Sequence, residues 1–370
     1  MKINQTHSKE IIALNTFEAV RLRPGMYLGQ VSLSEEKLPL IKDNKIQNID
    51  KKWSPGFNHL IIEILENAID EAKRMKGKMK NIFIKINLDN NEIIIKDEGD
   101  GFHNAHKKHD KTKKNVVRTA YEELHAGSNF AETEINIIGT HGVGSAVCNI
   151  LSKKFKVITV NKGYYVHYEW DDFKVIKEEI HNRNKEKLGT EVSFIPTTDV
   201  FNNYKWDEEI LISYLSYKQF LISIDPVIKN LKLNVSFIKN NIEENVTINY
   251  NFLPKDLIRI DHKSLGTLIM WPSYENSCSL SFINGSQCTG IHQKIINDWI
   301  NLYFDYPYAH HFYETLISLN VPSNLMRFAD QNKTKYDLTR VEIEQLLDES
   351  FKGKLLRLLK DSNVAKQIEK

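Results

Sequence analysis

The chain has 370 residues, 41% of them hydrophobic, enough to bury the cores of two or three domains, and two are expected. Lys and Arg total 50 against 48 Asp and Glu, a formal net charge of +2, so bulk charge gives no ground for binding nucleic acid or a membrane and any such contact has to come from local patches. The three cysteines, Cys148, Cys278 and Cys288, are odd in number and lack a CxxC spacing, which fits small buried hydrophobes in a reducing compartment rather than a disulfide framework. The N-terminus lacks an apolar core of signal-peptide length and no later run would span a bilayer, so a cytoplasmic protein without membrane contact is expected.

In chain order, residues 8–23 carry apolar positions at helical spacing (Ile11, Ile12, Leu14, Phe17, Val20), closed by RPG. Residues 31–55 are polar, irregular and rich in Lys and Asn, and read as a loop or flexible insertion. The stretch FNHLIIEILENAIDEAKRMK (57–76) predicts a long helix ended by Gly77. IFIKINL and EIIIKD predict two strands joined by a DNN turn, DEGDGF (97–102) breaks the second, and residues 103–115 read as a mobile basic loop. FKVITV, YYVHYEW and GTEVSFIP alternate as strands of an antiparallel sheet, and WDEEILISYLSYKQFLIS predicts another helix. From about residue 231 the pattern turns to strands (LKLNVSFI, VTINYNF, LGTLIMW, SCSLSFING) and then to helices near 291–318 and 339–361. The domain boundary is placed in the polar stretch 239–245, and there is no internal repeat.

Four short stretches carry candidate chemistry. GTHGVGSAVCN (139–149) has three glycines before a helix start, an arrangement that leaves backbone N–H groups and a positive dipole end for an oligophosphate, or is simply a turn that caps a helix. It is neither a Walker loop, since Ser145 and Ala146 follow Gly144, nor a dinucleotide fingerprint, since Val147 stands where a small residue is needed. On the long helix Glu63 and Asn67 lie four apart on one face, with Glu66, Asp70 and Glu71 adding acidity. That is either a solvated face or, because Glu63 interrupts an apolar run, a desolvated base of raised proton affinity beside an amide oxygen able to ligand Mg²⁺. Asp97 with Gly99 and Gly101 makes either a turn or an acceptor for the amine of a base with room for its ring. Lys333, in FADQNKTKYDL, is a surface lysine or a point charge for a terminal phosphate. The basic stretches 73–80 and 107–114 are either contacts for DNA or, the favoured reading, solvated surface; the pair His310 and His311 suggests a metal but has no cysteine or acidic ligand pattern beside it, and reads as surface histidines.

Together and in this order these stretches resemble the ATPase portion of type IIA DNA topoisomerases, in the superfamily of gyrase, Hsp90, histidine kinases and MutL. EAVRLRPGMYLG (18–29) is similar to the strap before the ATP site, EILENAIDEA (63–72) to the ExxxN helix, and DEGDG to DxGxG. LHAGSNF (124–130) and GTHGVGSAVCN are similar to the start and the glycine loop of the ATP lid. LGTEVSF (188–194) is similar to the Gly-Thr strand, and SFING with TGIH (281–292) and QNK (331–333) to the transducer domain and its switch lysine. The Lys/Asn/Ile-rich character and segment 31–55 are most similar to the large subunit of T-even-type phage topoisomerases, which would imply the host cytoplasm.

The resemblance implies an α+β protein: a Bergerat-type (GHKL) ATPase α/β sandwich with a mixed, mostly antiparallel sheet over 1–244, its lid at about 102–145. A smaller transducer domain of ribosomal protein S5 domain 2-like α/β fold would follow over 245–370. It implies ATP and Mg²⁺ as cofactors, Glu63 as general base, Asn67 as the metal ligand, and Asp97 with Gly99, Gly101 and Thr190 at adenine. Ser128 and Asn129 would meet the ribose or phosphates, the backbone of His141, Gly142, Val143 and Gly144 would wrap the phosphates, and Gln331 and Lys333 would reach the γ-phosphate. ATP would drive homodimerisation around duplex DNA, with a DNA-cleavage subunit or C-terminal region supplying the cutting parts that this chain lacks. The alternatives are an ATP-switched clamp or chaperone of the same superfamily and a protein-interaction module with a degenerate site. Asn332 stands where the switch motif has Thr, and Asp100 and His103 stand where gyrase has Arg and Pro, so sensitivity to coumarin-type inhibitors does not carry over.

Overall fold

A computed structural model describes residues 13–127, 139, 142–262, 266–273, 279–322, 325–329 and 333–361. Helix α1 (Thr16–Leu22) starts at an Asn15/Glu18 capping box, and α2 (Gly25–Leu28) follows the RPG turn. Strands β1 (Ser34–Lys42) and β2 (Lys45–Trp53) then form an antiparallel hairpin where the sequence reads as a loop. Its two-residue loop, Asp43 and Asn44, takes positive φ at both positions, the geometry that matches strand twist and that Asp and Asn tolerate. The hairpin buries only Leu38 and Leu40, against Ile210, so its outward side chains are polar and hide the alternation.

Helix α3 (Pro55–Arg74) is capped by Ser54, whose side chain accepts from Phe57 N–H, and has Pro at its first position. Next come β3 (Asn81–Asn87), β4 (Glu92–Asp97), α4 (Val116–Glu122), α5 (Gly144–Ile150), and the strands β5 (Ser152–Val160), β6 (Tyr164–Asp171), β7 (Lys174–Asn182) and β8 (Gly189–Pro196). After the short α6 (Thr198–Phe201), α7 (Glu208–Ile224), β9 (Lys232–Lys239) and β10 (Ile242–Val246) complete the first lobe. Its eight strands run β10-β9-β3-β4-β8-β5-β6-β7, all neighbours antiparallel except β3 and β9. Alternate residues of β3 and β4 (Ile82, Ile84, Ile86, Ile93, Ile95) meet the apolar face of α3 (Leu60, Ile61, Ile64, Leu65, Ala68) in one core.

The second lobe contains β11 (Ile258–His262), β12 (Gly266–Pro272), β13 (Ser279–Ile283), β14 (Ser286–Gln287), β15 (Thr289–Gly290), α8 (Ile291–Tyr303), β16 (Tyr313–Leu319), β17 (Lys335–Tyr336), α9 (Arg340–Leu346) and α10 (Glu349–Asp361). Its sheet runs β11-β12-β16-β13-β14, with β13 and β16 parallel, and one face packs on α8, α9 and α10. The other face (Ile269, Trp271, Leu280, Phe282, Leu316) packs on Tyr217, Phe220 and Leu221 of α7, whose opposite side belongs to the first core. A helix sandwiched between two sheets has to be apolar nearly all round, and α7 is.

Two readings of the second half change. Of VTINYNF, only Val246 lies in a strand, and the helix expected over 291–318 ends at Tyr303, with β16 taking the apolar run that follows. Among the described residues no helix is long and apolar enough to cross a membrane.

Candidate active site

The site lies where the end of β4, one face of α3, the start of α5 and a loop of the second lobe converge. At the β4 end Asp97 is buried, and its Oδ1 accepts from the N–H groups of Gly99 (2.8 Å) and Thr190 (3.1 Å). Burial pushes its carboxyl up to about 7, and the nearby charge of Glu71 adds to the rise, against the opposing pull of the two N–H donors. Thr190 Oγ1 lies 3.1 Å from Thr159 Oγ1, which accepts from Phe102 N–H at 2.9 Å, so β8, β5 and the turn after β4 are tied together around this carboxylate. Gly99 has to be glycine: a Cβ there would come within 2.6 Å of Glu71 Cγ and 2.8 Å of Asp97 Oδ1. Gly101 follows in the same turn with φ +69°.

On α3, Glu63 is 9% exposed and Asn67 half-buried. Helix α5 begins with Gly144 directly against Glu63, and a Cβ at 144 would fall 1.7 Å from Glu63 Oε2. Asn67 Nδ2 donates to Ser145 Oγ at 2.9 Å, which engages the amide nitrogen of Asn67 and not its oxygen. Further along, Asp70 Oδ2 accepts from Gly139 N–H at 2.8 Å and Gly142 C=O accepts from Ala126 N–H at 3.1 Å, so the glycine segment is held on both sides.

Lys333 enters from the second lobe. It is 5% exposed, in left-handed backbone (φ 56°), with Nζ 3.7 Å from Glu63 Oε1 and 3.5 Å from Glu66 Oε2. The alternative of a solvated lysine is therefore excluded. Lys73, which the sequence places in a solvated basic stretch, is also buried.

The expected rise in proton affinity of Glu63 is reversed. Burial pushes it up, but the Lys333 charge and a 2.9 Å hydrogen bond from His59 outweigh burial and hold the carboxyl at about 2. The same pair of carboxylates pushes Lys333 up from its ordinary value against the cost of burial. What sequence reading misses is the set of partners: His59, one turn before Glu63, is open to an i, i+4 reading, whereas Lys218, Ser286 and Thr159 come from distant segments and carry no local signal.

Of the residues expected at the site, Glu63, Asn67, Asp97, Gly99, Gly101, Gly142, Val143, Gly144, Thr190 and Lys333 fall along this one surface, while Ser128, Asn129, His141 and Gln331 lie outside the described residues. Among the described residues no group of three His, Cys, Asp or Glu side chains could hold a metal on its own. One amide oxygen, that of Asn67, suits Mg²⁺ arriving with a nucleotide, since this ion keeps phosphate oxygens and waters and takes only one or two protein ligands.

Comparison with known proteins bears on the family and the fold. The profile of the family described as "Histidine kinase-, DNA gyrase B-, and HSP90-like ATPase" matches residues 54–199, from the cap of α3 past the end of β8. DNA gyrase B of Mycoplasmoides gallisepticum is 34% identical over 224 residues, covering 60% of this chain and 30% of that protein. DNA topoisomerase 4 B of Mycoplasma capricolum is 26% identical over 390 aligned positions, covering 94% of this chain and 55% of that protein. This chain thus spans about a third to a half of the length of these relatives. In fold it is similar to the ATPase region of Saccharomyces cerevisiae topoisomerase II, with a TM-score of 0.78 at 20% identity and 98% of each chain covered. It is also similar to the ATPase domain of Thermus thermophilus gyrase B in complex with an aminocoumarin, with a TM-score of 0.61 at 20% identity, covering 93% of this chain and 90% of that one. Profile, relatives and fold agree: residues 54–199 match this ATPase family, and the chain as a whole is similar in sequence to gyrase B and topoisomerase 4 B and in fold to the ATPase regions of type II DNA topoisomerases.

Proposed function

We propose that this chain binds ATP with Mg²⁺, hydrolyses it, and dimerises through it as the N-gate of a type IIA topoisomerase that passes one DNA duplex through another. The single observation that carries this reading is Lys333: a lysine of the second lobe buried among the carboxylates of the first, where a change at the nucleotide is felt by both lobes.

In this reading Asp97 accepts from the adenine amine, with Gly99, Gly101 and Thr190 around the ring. The backbone of Gly142, Val143 and Gly144, with His141, takes the phosphates, and Ser128, Asn129 and Gln331 add contacts. Asn67 supplies the protein ligand to Mg²⁺, which neutralises phosphate charge when bound. Glu63 orients the attacking water and takes its proton, which it does better once Lys333 turns toward the γ-phosphate and its charge no longer holds the carboxyl at about 2. Loss of the γ-phosphate returns Lys333 to the carboxylates and relaxes the angle between the lobes. A second copy of the chain, duplex DNA and a DNA-cleavage subunit or region are the partners.

The test is DNA-stimulated hydrolysis. Mixed with a cleavage subunit and duplex DNA, the chain should hydrolyse ATP faster than alone, and Glu63→Ala should abolish turnover while keeping nucleotide binding. Turnover indifferent to DNA and cleavage subunit would contradict the topoisomerase assignment.

A further inference from the structure

Glu66 lies one turn from Glu63 on α3, and three groups from elsewhere meet at its carboxylate. Oε1 accepts from Lys218 Nζ of α7 at 2.8 Å and from Ser286 Oγ of β14 at 2.9 Å, while Oε2 faces Lys333 Nζ at 3.5 Å. Lys218 also donates to Gly285 C=O at 2.7 Å, and Lys73 Nζ is 3.5 Å from Asn284 C=O. The two-residue turn between β13 and β14, with both residues at positive φ, is thereby plugged into the first lobe at the carboxylate that Lys333 also uses. Glu66, Lys218, Ser286 and Lys333 are all 5% exposed or less, so each charge needs a partner close by.

We propose that Glu66 is a latch for Lys333: a positioning residue that shares the lysine with Glu63 in the resting joint and has to release it before the lysine can serve a γ-phosphate. The inference rests on the reading that Lys333 serves that phosphate. Two features suit a latch. Oε1 keeps Lys218 and Ser286 when Lys333 leaves Oε2, so release strands no buried carboxylate. A cavity of about 280 Å³ also lies beside the plugged turn, lined from both lobes by Ile69, Lys218, Arg259, His262 and Gly285 among others, which leaves room for the lobes to change angle while the turn stays seated.

A latch competes with the γ-phosphate, so weakening it should favour ATP over ADP. The experiment is calorimetric titration of the whole chain with Mg²⁺ and either a non-hydrolysable ATP analogue or ADP, on wild type, Glu66→Gln, Lys333→Ala and the double variant. Gln keeps an acceptor for Lys218 and Ser286 but removes the charge facing Lys333. The expected result is analogue binding about fivefold tighter or more in Glu66→Gln, with ADP unchanged and the gain absent in the Lys333→Ala background. Should the Gln variant not fold, Glu66→Asp, which withdraws the charge without deleting it, should shift the analogue-to-ADP ratio the same way. A change shared by both nucleotides, a weaker analogue, or a gain that survives Lys333→Ala would overturn the latch. If Lys333→Ala alone leaves the ratio at its wild-type value, the γ-phosphate reading itself fails and takes the latch with it; if that variant lowers the ratio but Glu66→Gln does not raise it, only the latch fails.

Discussion

Two buried carboxylates mark the two ends of the site, and their proton affinities move in opposite directions. Asp97 and Glu63 are 7% and 9% exposed, so burial pushes both upward. Asp97 meets two backbone N–H donors, the charge of Glu71 and a lesser opposing pull from Arg74, and rises to about 7; Glu63 meets Lys333 and His59, and is held at about 2. Burial, common to both, therefore does not set the difference between them. A cation crossing from the second lobe does, so the β4 end of the site is a property of one lobe and the α3 end a property of the joint between two.

Removing Lys333 should erase that contrast and have the largest effect. Taking one partner out of a buried pair costs about 3–5 kcal/mol where the remaining charge cannot adapt, and Glu63 can adapt by taking up a proton. The folded value of Glu63 lies below its unfolded value, so it contributes stability above about pH 4 that is lost as pH falls through about 2. In Lys333→Ala this acid-side loss should flatten, as followed by thermal unfolding against pH, while Asp97 still titrates near neutrality. An unaltered acid limb would contradict the pairing.

A smaller but more local break is Gly144→Ala. Its Cβ displaces the Glu63 carboxylate, at about 1–3 kcal/mol of stability and with hydrolysis lowered on the order of a hundredfold, since about 1 Å of misplacement suffices for that. ADP affinity, which draws on the β4 end as well as on the glycine backbone, should fall far less than turnover; comparing turnover with ADP titration tests both halves of the statement.

Asp97→Asn attacks the β4 end. Because the folded value of Asp97 lies above the unfolded one, the ionised carboxylate costs stability that grows as pH rises from about 4 and is complete above about 7. The Asn variant should thus unfold later than wild type on the alkaline side, by on the order of 1 kcal/mol, yet bind ADP about tenfold more weakly. In the wild type, ADP affinity should fall as pH drops below about 7, because the protonated carboxyl no longer accepts from an amine at its second oxygen. Affinity independent of pH would separate Asp97 from the base. The smallest effect belongs to Ser145→Ala, which frees the Asn67 amide at a cost of about 1 kcal/mol and should show as a raised Mg²⁺ requirement with no change in ADP affinity.

The same contrast explains what the sequence discloses. Helix α3, the DxGxG turn and the glycine segment are legible because each is local: an apolar period, a cap, glycines where a Cβ would strike Glu63 or Asp97. The hairpin β1–β2 is not, because it buries two side chains and shows its polar edge, although Asp43 and Asn44 between two strand-length runs are a hairpin signal. Strand β16 reads as helix because a run of apolar residues has no period of its own and takes its form from the neighbouring β12 and β13. The low proton affinity of Glu63 is out of reach for the same reason: its cause, Lys333, lies 270 positions away in sequence and is brought to it only by the docking of two lobes.

The most direct test of the central claim is sedimentation velocity of the wild-type chain and Lys333→Ala with Mg²⁺ and a non-hydrolysable ATP analogue, with ADP and nucleotide-free samples alongside. A dimer formed by the wild type with the analogue but not with ADP, and weakened in Lys333→Ala, is the predicted result. A wild type that binds the analogue and stays monomeric at every concentration, or a variant that dimerises as well as the wild type, would contradict it.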